Sequence, residues 1–319
     1  MLAGSSFAGR RLTDAFRYSI KKRVVTMWQQ KSFENEKDKG ILYLVPTPIG
    51  NLEDMSFRAI RILKEADLIA AEDTRNTRKL CNYYEIQTPV VSYHEHNKEA
   101  SGEKLIEKVQ AGLKVALVSD AGMPTISDPG YELVVAAVKE RVTVVPLPGA
   151  NAALTSLIAS GLSCQPFYFY GFLARNKKEK RLELEVLRKQ TATLIFYESP
   201  HRLKETLNIM FDVLGNRKIA LCRELTKKFE EFIRGTIEEM IEWANQDEVR
   251  GEFCIIIEGT DDQDLSKEET SWWEGMEIKN HVNHYIHERN LTSKDAIKQT
   301  AKDRDINKRD VYHAYHVDE

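Results

Sequence analysis

From Gly40 to Pro148 the chain alternates short apolar runs with amphipathic stretches. Ile41–Val45, Leu68–Ala71, Val90–Tyr93, Val115–Ser119 and Val142–Val145 are continuous rather than alternating in hydrophobicity, which predicts strands buried on both faces. Between them, Met55–Ala66, Thr77–Tyr83, Glu99–Ala111 and Tyr131–Lys139 repeat apolar residues at helical spacing. In the first of these, Phe57, Ile60, Ile62 and Leu63 are expected on the apolar side. Strand–helix–strand repetition implies parallel connections and a doubly wound α/β sheet.

Beyond Pro148-Gly149 a helix, Ala152–Ser160, leads to a second group of strands: Phe167–Tyr170, Thr193–Tyr197, Ile219–Arg223, Glu231–Gly235 and Phe253–Glu258. A short turn near Lys227 predicts a hairpin and makes this second sheet mixed. The polar stretch Asp261–Thr270 reads as a linker, and Glu274–Arg289, Ser293–Asp303 and Lys308–His316 read as helices, with Thr292 or Ser293 and Asn307 as N-caps. The expected organisation is an extension over 1–39, an α/β domain over 40–150, a second α/β domain over 151–262, and a linker with a helical tail over 263–319.

The chain has 319 residues, 42% of them hydrophobic, enough for two cores. Its 46 Lys and Arg against 49 Asp and Glu give a net charge of −3, so any nucleic-acid surface has to be a local patch. Cys81, Cys164, Cys222 and Cys254 are scattered, which argues against a disulfide framework or a zinc site and fits a reducing cytoplasm. No apolar run approaches the roughly 18 residues of a membrane span. The first 26 residues are basic and weakly hydrophobic, like a transit peptide or an unstructured arm, and Met27 would serve as a start.

In an open parallel sheet, ligands bind beyond the carboxyl ends of the strands. Three Gly/Pro-rich loops fall there: Pro46–Asn51, Ser119–Gly130 and Pro146–Ala152. They are expected to converge on one cleft. Neither GxGxxG nor GxxxxGK[ST] occurs, so an ordinary dinucleotide or nucleoside-triphosphate site has no support.

The segments LYLVPTPIGNLEDMSFRAI (42–60), AEDTRNTRKL (71–80), SYHEHN (92–97), LVSDAGMPTISDPGYELV (117–134) and FYESPHRL (196–203), in that order, resemble the ribosomal small subunit methyltransferase I family of class III, tetrapyrrole-methylase-like S-adenosylmethionine enzymes. The resemblance runs from about Gly40 to Gly259 and continues into the tail. It implies 2′-O-methylation of a decoding-site cytidine in 16S rRNA, by a cytoplasmic homodimer acting on the small subunit. It also implies S-adenosylmethionine bound between the two domains by Pro46, Thr47 and Pro48, by Ser119, Asp120, Ala121, Gly122 and Pro124, and by Asn151 and Ala152, with Tyr170 and Gly171 closing the pocket. The family pattern is departed from at Met123 and at Ala174, where proline is common.

An acid such as Asp120 suits a cationic ligand, and it equally suits a loop cap; Asp128, just before Pro129, reads as a helix cap. A ribose hydroxyl is a poor nucleophile, so a general base within hydrogen-bond reach is expected. Candidates are Glu72, Asp73, His94, His96, Glu198 and His201, and for Glu198 with Ser199 simple helix capping is the competing reading. No metal is expected, because His94 and His96 lack further ligands at metal-like spacing.

For phosphate contacts, the basic run Arg175, Lys177, Lys178, Lys180 and Arg181 follows the pocket strand directly, with Arg75, Arg78 and Lys79 as a second patch and Arg202 as a third point. A solvated helix face is the competing reading of the run. In the tail, Ala296, Ile297 and Ala301 on one helix and Val311, Tyr312 and Tyr315 on the next form apolar sides of a small helix-turn-helix-like unit. It suits RNA, a ribosomal protein or the enzyme's own domain. Two alternatives to rRNA methylation stand beside it: methylation of a tetrapyrrole precursor, and a ribosome-binding factor without catalysis.

Overall fold

The computed structural model describes residues 27–32, 39–94, 98–246, 248–261, 273, 275–289 and 291–316. The N-terminal segment 1–26, His96 and the linker over 262–270 lie outside the described residues. The chain divides into two compact units, one running to Thr47 and from Ser56 to Pro148, the other comprising Pro48–Met55 and everything from Gly149.

The first unit holds a five-stranded sheet of β1 (Ile41–Leu44), β2 (Leu68–Ala71), β3 (Val90–Ser92), β4 (Lys114–Val118) and β5 (Thr143–Pro146), ordered β3-β2-β4-β1-β5. Every pairing is parallel. The strand alternation explains why these segments lack polar positions. Leu42, Leu68, Ala70, Val115 and Leu117 pack on one face against Leu105, Ile106 and Val109 of α3 (Lys98–Gln110) and Leu133 and Ala137 of α4 (Tyr131–Lys139). Ile69, Ala71, Ala116 and Val118, of opposite parity, are buried too. Such continuous apolar burial is the expected signature of a doubly wound sheet.

Helix α1 (Phe57–Glu65) is capped by Ser56, whose hydroxyl accepts from the Ala59 amide. Its buried stripe is Ala59, Ile62 and Leu63, and Phe57 is 93% exposed, contrary to expectation. At 100° per residue Phe57 lies about 200° around the helix from Ala59, so it cannot share that stripe. Helix α2 (Thr74–Tyr83) starts three residues earlier than its apolar pattern predicts, because Asp73 caps it.

The second unit holds β6 (Phe167–Phe172), β7 (Thr193–Glu198), β8 (Lys218–Arg223), β9 (Glu231–Thr236) and β10 (Phe253–Ile257), ordered β6-β7-β10-β8-β9. Only β6 and β7 are parallel, and β8 and β9 form the expected hairpin. One face packs on α6 (Lys177–Leu187), α7 (Pro200–Leu214) and α8 (Ile237–Gln246) through Leu184, Leu187, Leu203, Leu207, Met210 and Met240. The other carries α5 (Ala152–Ser160) on Ile195, Ala220, Cys222, Cys254 and Ile256. Cys81, Cys222 and Cys254 are buried and Cys164 is exposed, all as free thiols.

In the tail, α9 (Ile278–His287), α10 (Ser293–Asp303) and α11 (Lys308–His316) enclose a small core of Val282, Ala296, Ile297, Ala301 and Val311. Thr292 caps α10 as expected. Tyr312, expected on the apolar side, is 52% exposed, while Tyr315 packs against the core. Among the described residues no helix is long and apolar enough to cross a membrane.

Candidate functional site

The parallel sheet of the first unit ends in loops, and two of the predicted ones are tied together. The Thr47 amide donates to the Gly122 carbonyl at 2.9 Å and the Gly122 amide to the Thr47 carbonyl at 3.0 Å. The Thr47 hydroxyl donates to the Ser119 carbonyl at 3.1 Å, and the Ser119 hydroxyl to the Gly122 carbonyl at 3.0 Å. Both hydroxyls are buried with their residues, so the loops share a polar spine in which these groups find partners. Gly122 takes φ 76°, natural for glycine, while Thr125 holds φ 75° with a β-branched side chain. Such conformations persist only where surrounding structure enforces them. Beside it, Gly130 has φ 138°, and a Cβ there would meet Leu117 Cδ2 at 2.7 Å.

Four carboxylates gather at this edge. Asp120 accepts from the Asp73 backbone amide at 3.2 Å and from the Asn76 side-chain amide at 3.4 Å, so it docks the start of α2. Asp73 caps α2 and takes two further bonds from the Arg75 guanidinium, at 3.1 and 2.7 Å. Those bonds hold its carboxyl down at about 2. As a proton acceptor near neutral pH Asp73 is therefore weak, which corrects its candidacy as general base. Burial, followed by the charges of Asp120 and Asp73, raises Glu72, and His94 opposes them.

Asp128 was expected to cap α4. Instead the cap is Gly130, with no side-chain bond. Burial first, then the charges of Glu72 and Asp120, push Asp128 up to about 6. Nothing in the residue pattern signals this beyond the spacing of acids within the loop. Among the described residues no group of His, Cys, Asp and Glu is placed to hold a metal ion.

In the second unit, the Asn151 side chain accepts from the Leu154 amide at 2.9 Å and caps α5. The same first turn donates again: the Ala153 amide reaches the Tyr197 hydroxyl at 3.2 Å. Strand β6 slips register between Phe169 and Gly171, and Gly171 adopts φ 85°. Tyr170 is pushed up to about 12 by burial and by its hydroxyl's bond to Glu183.

Glu198 is not available as a base. Its side chain is 1% exposed, accepts from the Ser199 amide at 2.8 Å and from the Thr206 hydroxyl at 2.6 Å, and faces Arg202 Nε at 3.3 Å. The capping reading describes it better, although Ser199 itself makes no side-chain cap bond. His201 is exposed in the first turn of α7.

The basic run separates into two kinds of residue. Arg175, Lys177, Lys178 and Arg181 are exposed around the start of α6, which Asn176 caps. Lys177 meets Glu205 at 2.9 Å and Arg181 meets Asp212 at 2.6 Å. Lys180 is fully buried, donating to Thr206 Oγ1 at 2.9 Å and to Glu205 at 3.2 Å, so it cannot reach a phosphate. Arg202 also turns inward, onto the carbonyls of Leu173 and Ala174. Arg75, though paired to Asp73, remains 83% exposed, and Arg78 and Lys79 are exposed beside it. Elsewhere on the second unit a cavity of about 770 Å³ lies among Arg188, Asp212, Asn216, Arg217 and Glu258, and holds none of the candidate residues.

Residues 41–241 match the family model of the Tetrapyrrole (Corrin/Porphyrin) Methylases. The chain is 63% identical over 289 residues to a ribosomal RNA small subunit methyltransferase I of Bacillus subtilis (strain 168), covering 91% of this chain and 98% of that protein. It is 45% identical to the protein of that name from Streptococcus pyogenes serotype M3 (strain ATCC BAA-595 / MGAS315), covering 91% and 99%. A solved diphthine synthase superposes with a TM-score of 0.55 at 13% identity, over 69% of this chain and 90% of that one, a likeness of fold alone.

Proposed function

Because the chain belongs to the ribosomal RNA small subunit methyltransferase I family, within the tetrapyrrole methylases, we propose that it methylates the 2′-oxygen of a decoding-site cytidine ribose in 16S rRNA, with S-adenosylmethionine as donor. The observation that carries the cofactor reading is the Thr47–Gly122 pairing, which sets backbone-rich loops beside a group of carboxylates. A sulfonium ligand is cationic, and Glu72, Asp120 and Asp128 crowd negative charge whose mutual repulsion a cation relieves. The residues present therefore fit the donor.

When bound, the donor supplies an electrophilic methyl group. The protein's part is to bind, orient and accept a proton. In the first unit the proposed cofactor residues are Pro46, Thr47, Ser119, Asp120, Ala121, Gly122 and Pro124; in the second they are Pro48, Asn151, Ala152, Tyr170 and Gly171. Holding the ribose oxygen in line with the methyl carbon can remove roughly 7–11 kcal/mol of barrier. For the proton, Glu72 is the best of the carboxylates first considered, since Asp73 and Glu198 are committed to other partners and burial raises the proton affinity of Glu72. Arg175, Lys177, Lys178 and Arg181, with Arg75 and Arg78, are the proposed phosphate contacts.

The deciding experiment is transfer of labelled methyl from S-adenosylmethionine to 30S subunits, followed by nucleoside analysis. 2′-O-methylcytidine is the expected product. A base-methylated cytidine, or methylation of a tetrapyrrole precursor in place of rRNA, overturns the reading. A cytoplasmic homodimer belongs to the same proposal, and sedimentation of the purified protein tests the stoichiometry.

A further inference from the structure

Just past β6 the chain turns a corner at Leu173–Ala174 before the basic residues Arg175, Lys177 and Lys178. This corner is gripped by charged side chains from two helices. From α7, Arg202 Nη2 donates to the Leu173 carbonyl at 2.7 Å and to the Ala174 carbonyl at 2.9 Å. From α6, Glu183 accepts the Ala174 amide at 2.8 Å, and the same carboxylate takes the Tyr170 hydroxyl. Both polar groups of the Ala174 backbone are thus bonded to ions, and such bonds are about twice as strong as neutral ones.

The grip is itself anchored. Arg202 Nε faces buried Glu198 at 3.3 Å. Glu198 accepts the Thr206 hydroxyl, and Thr206 accepts from the fully buried Lys180. Glu198, Thr206 and Lys180 are each buried with a hydrogen-bond partner, and leaving any of them without one is costly, so this set resists rearrangement. On the outer side of the corner, Phe172 is 55% exposed, with its ring edge-on to Tyr197 at 5.5 Å, and Arg175 projects into solvent.

We propose that Arg202 and Glu183 are positioning residues that lock the Leu173–Ala174 corner, so that Phe172 and Arg175 meet the RNA substrate in one fixed arrangement. Neither touches the reacting atoms. The proposal rests on the rRNA reading for its substrate, and on the geometry above for the lock. A pre-ordered corner removes an ordering cost from RNA binding, so loosening it raises KM for the subunit and leaves the chemical step nearly intact.

The test uses the full chain carrying Arg202→Lys, Glu183→Ala or Glu183→Gln. Lysine keeps a charge but has a single nitrogen, which cannot stand beside Glu198 where Nε does and also reach both carbonyls where Nη2 does; glutamine keeps an acceptor for the Ala174 amide. Expected for Arg202→Lys and Glu183→Ala are amide exchange about tenfold faster across residues 172–176, KM for 30S subunits up about tenfold and kcat within about twofold, with unchanged affinity for S-adenosylmethionine in Arg202→Lys, which leaves the Tyr170–Glu183 bond in place. Glu183→Gln should restore exchange and KM. Unchanged exchange in Arg202→Lys overturns the lock. Faster exchange with unchanged KM, or a fall in kcat alone, overturns its role in substrate presentation. A wild-type enzyme that transfers nothing to 30S subunits overturns the substrate reading, and the exchange result still decides the lock.

Discussion

The Asp120 carboxylate accepts the backbone amide of Asp73 at 3.2 Å, which joins the Ser119–Gly130 loop to the first turn of α2. Asp120 therefore has a structural role and, in the proposed site, an electrostatic one. Two substitutions separate them. Asn retains a carbonyl oxygen that can accept the Asp73 amide while removing the charge; Ala removes both. Asp120→Asn is expected to weaken S-adenosylmethionine binding about tenfold by calorimetry, with much less effect on S-adenosylhomocysteine, which lacks the sulfonium charge. Asp120→Ala should weaken both ligands. Equal losses for both ligands in Asp120→Asn would remove the charge from the explanation.

Lys178 and Lys180, two residues apart, should respond in opposite ways. Replacing Arg175, Lys177 and Lys178 with Ala takes away three exposed cations. At roughly 0.7–0.9 of a logarithmic unit of salt slope per phosphate contact, the slope of 30S binding should flatten by about 2. Stability should change little, because exposed ion pairs such as Lys177–Glu205 contribute only about 0–1 kcal/mol. Lys180→Ala instead strips a buried donor from Thr206 and Glu205. It should cost about 3 kcal/mol in denaturant unfolding and leave the salt slope of the folded fraction unchanged.

Lys180 also shows where the sequence stops being legible. The parallel sheet could be read from unbroken apolar runs such as Leu68–Ala71, because burial on both faces leaves no polar position to confuse the pattern. For α6 the basic run suggests only a solvated helix face: its inward stripe is Lys180, Leu184 and Leu187, and a lysine in that stripe reads as solvent-facing until Thr206 and Glu205 are seen to receive it. Strand-end position and glycine content point to the loops at Thr47 and Gly122, while their pairing rests on backbone bonds that no residue pattern announces. The fates of Glu198 and Asp128 did not, since each depends on partners or burial from other elements: Thr206 on α7 for one, Glu72 beyond β2 for the other.

Asp128 makes a prediction about stability against pH. Its folded value of about 6 lies above the ordinary 3.8, so the folded state holds this proton more tightly than the unfolded chain. Between those values the folded state binds more protons, and stability falls as pH rises. Asp128→Asn should be more stable than wild type at pH 7, by about 1–2 kcal/mol once solvent screening is allowed for. The advantage should shrink through the window from 6 to 4 and vanish below it. Urea unfolding at pH 4 and pH 7 measures this. A pH-independent difference would show that packing, and not ionisation, separates the two proteins.

In the tail, His281 is buried between the rings of Trp273 and Tyr285, stacked at centroid distances of 5.6 and 5.3 Å. Arg304 Nε donates to its Nδ1 at 3.0 Å, and since a guanidinium has no acceptor, that nitrogen must be bare. The proton of the neutral ring then sits on Nε2, which faces Asp303 at 3.3 Å. Burial, then the Arg304 charge, lowers the histidine below its usual 6.5, with Asp303 opposing. A base depressed in the folded state contributes stability that is complete above the unfolded value and disappears as pH falls through the folded one. Protonation would also set an N–H against the Arg304 donor. The three-helix unit of α9, α10 and α11 should therefore loosen on acidification below pH 6.5 before either sheet does, seen as faster amide exchange at Val282, Ile297 and Val311. His281→Phe keeps a ring between Trp273 and Tyr285 and should flatten that dependence, at the cost of leaving Arg304 Nε without its acceptor. If the tail amides exchange with the same pH profile in wild type and His281→Phe, the histidine does not govern the tail.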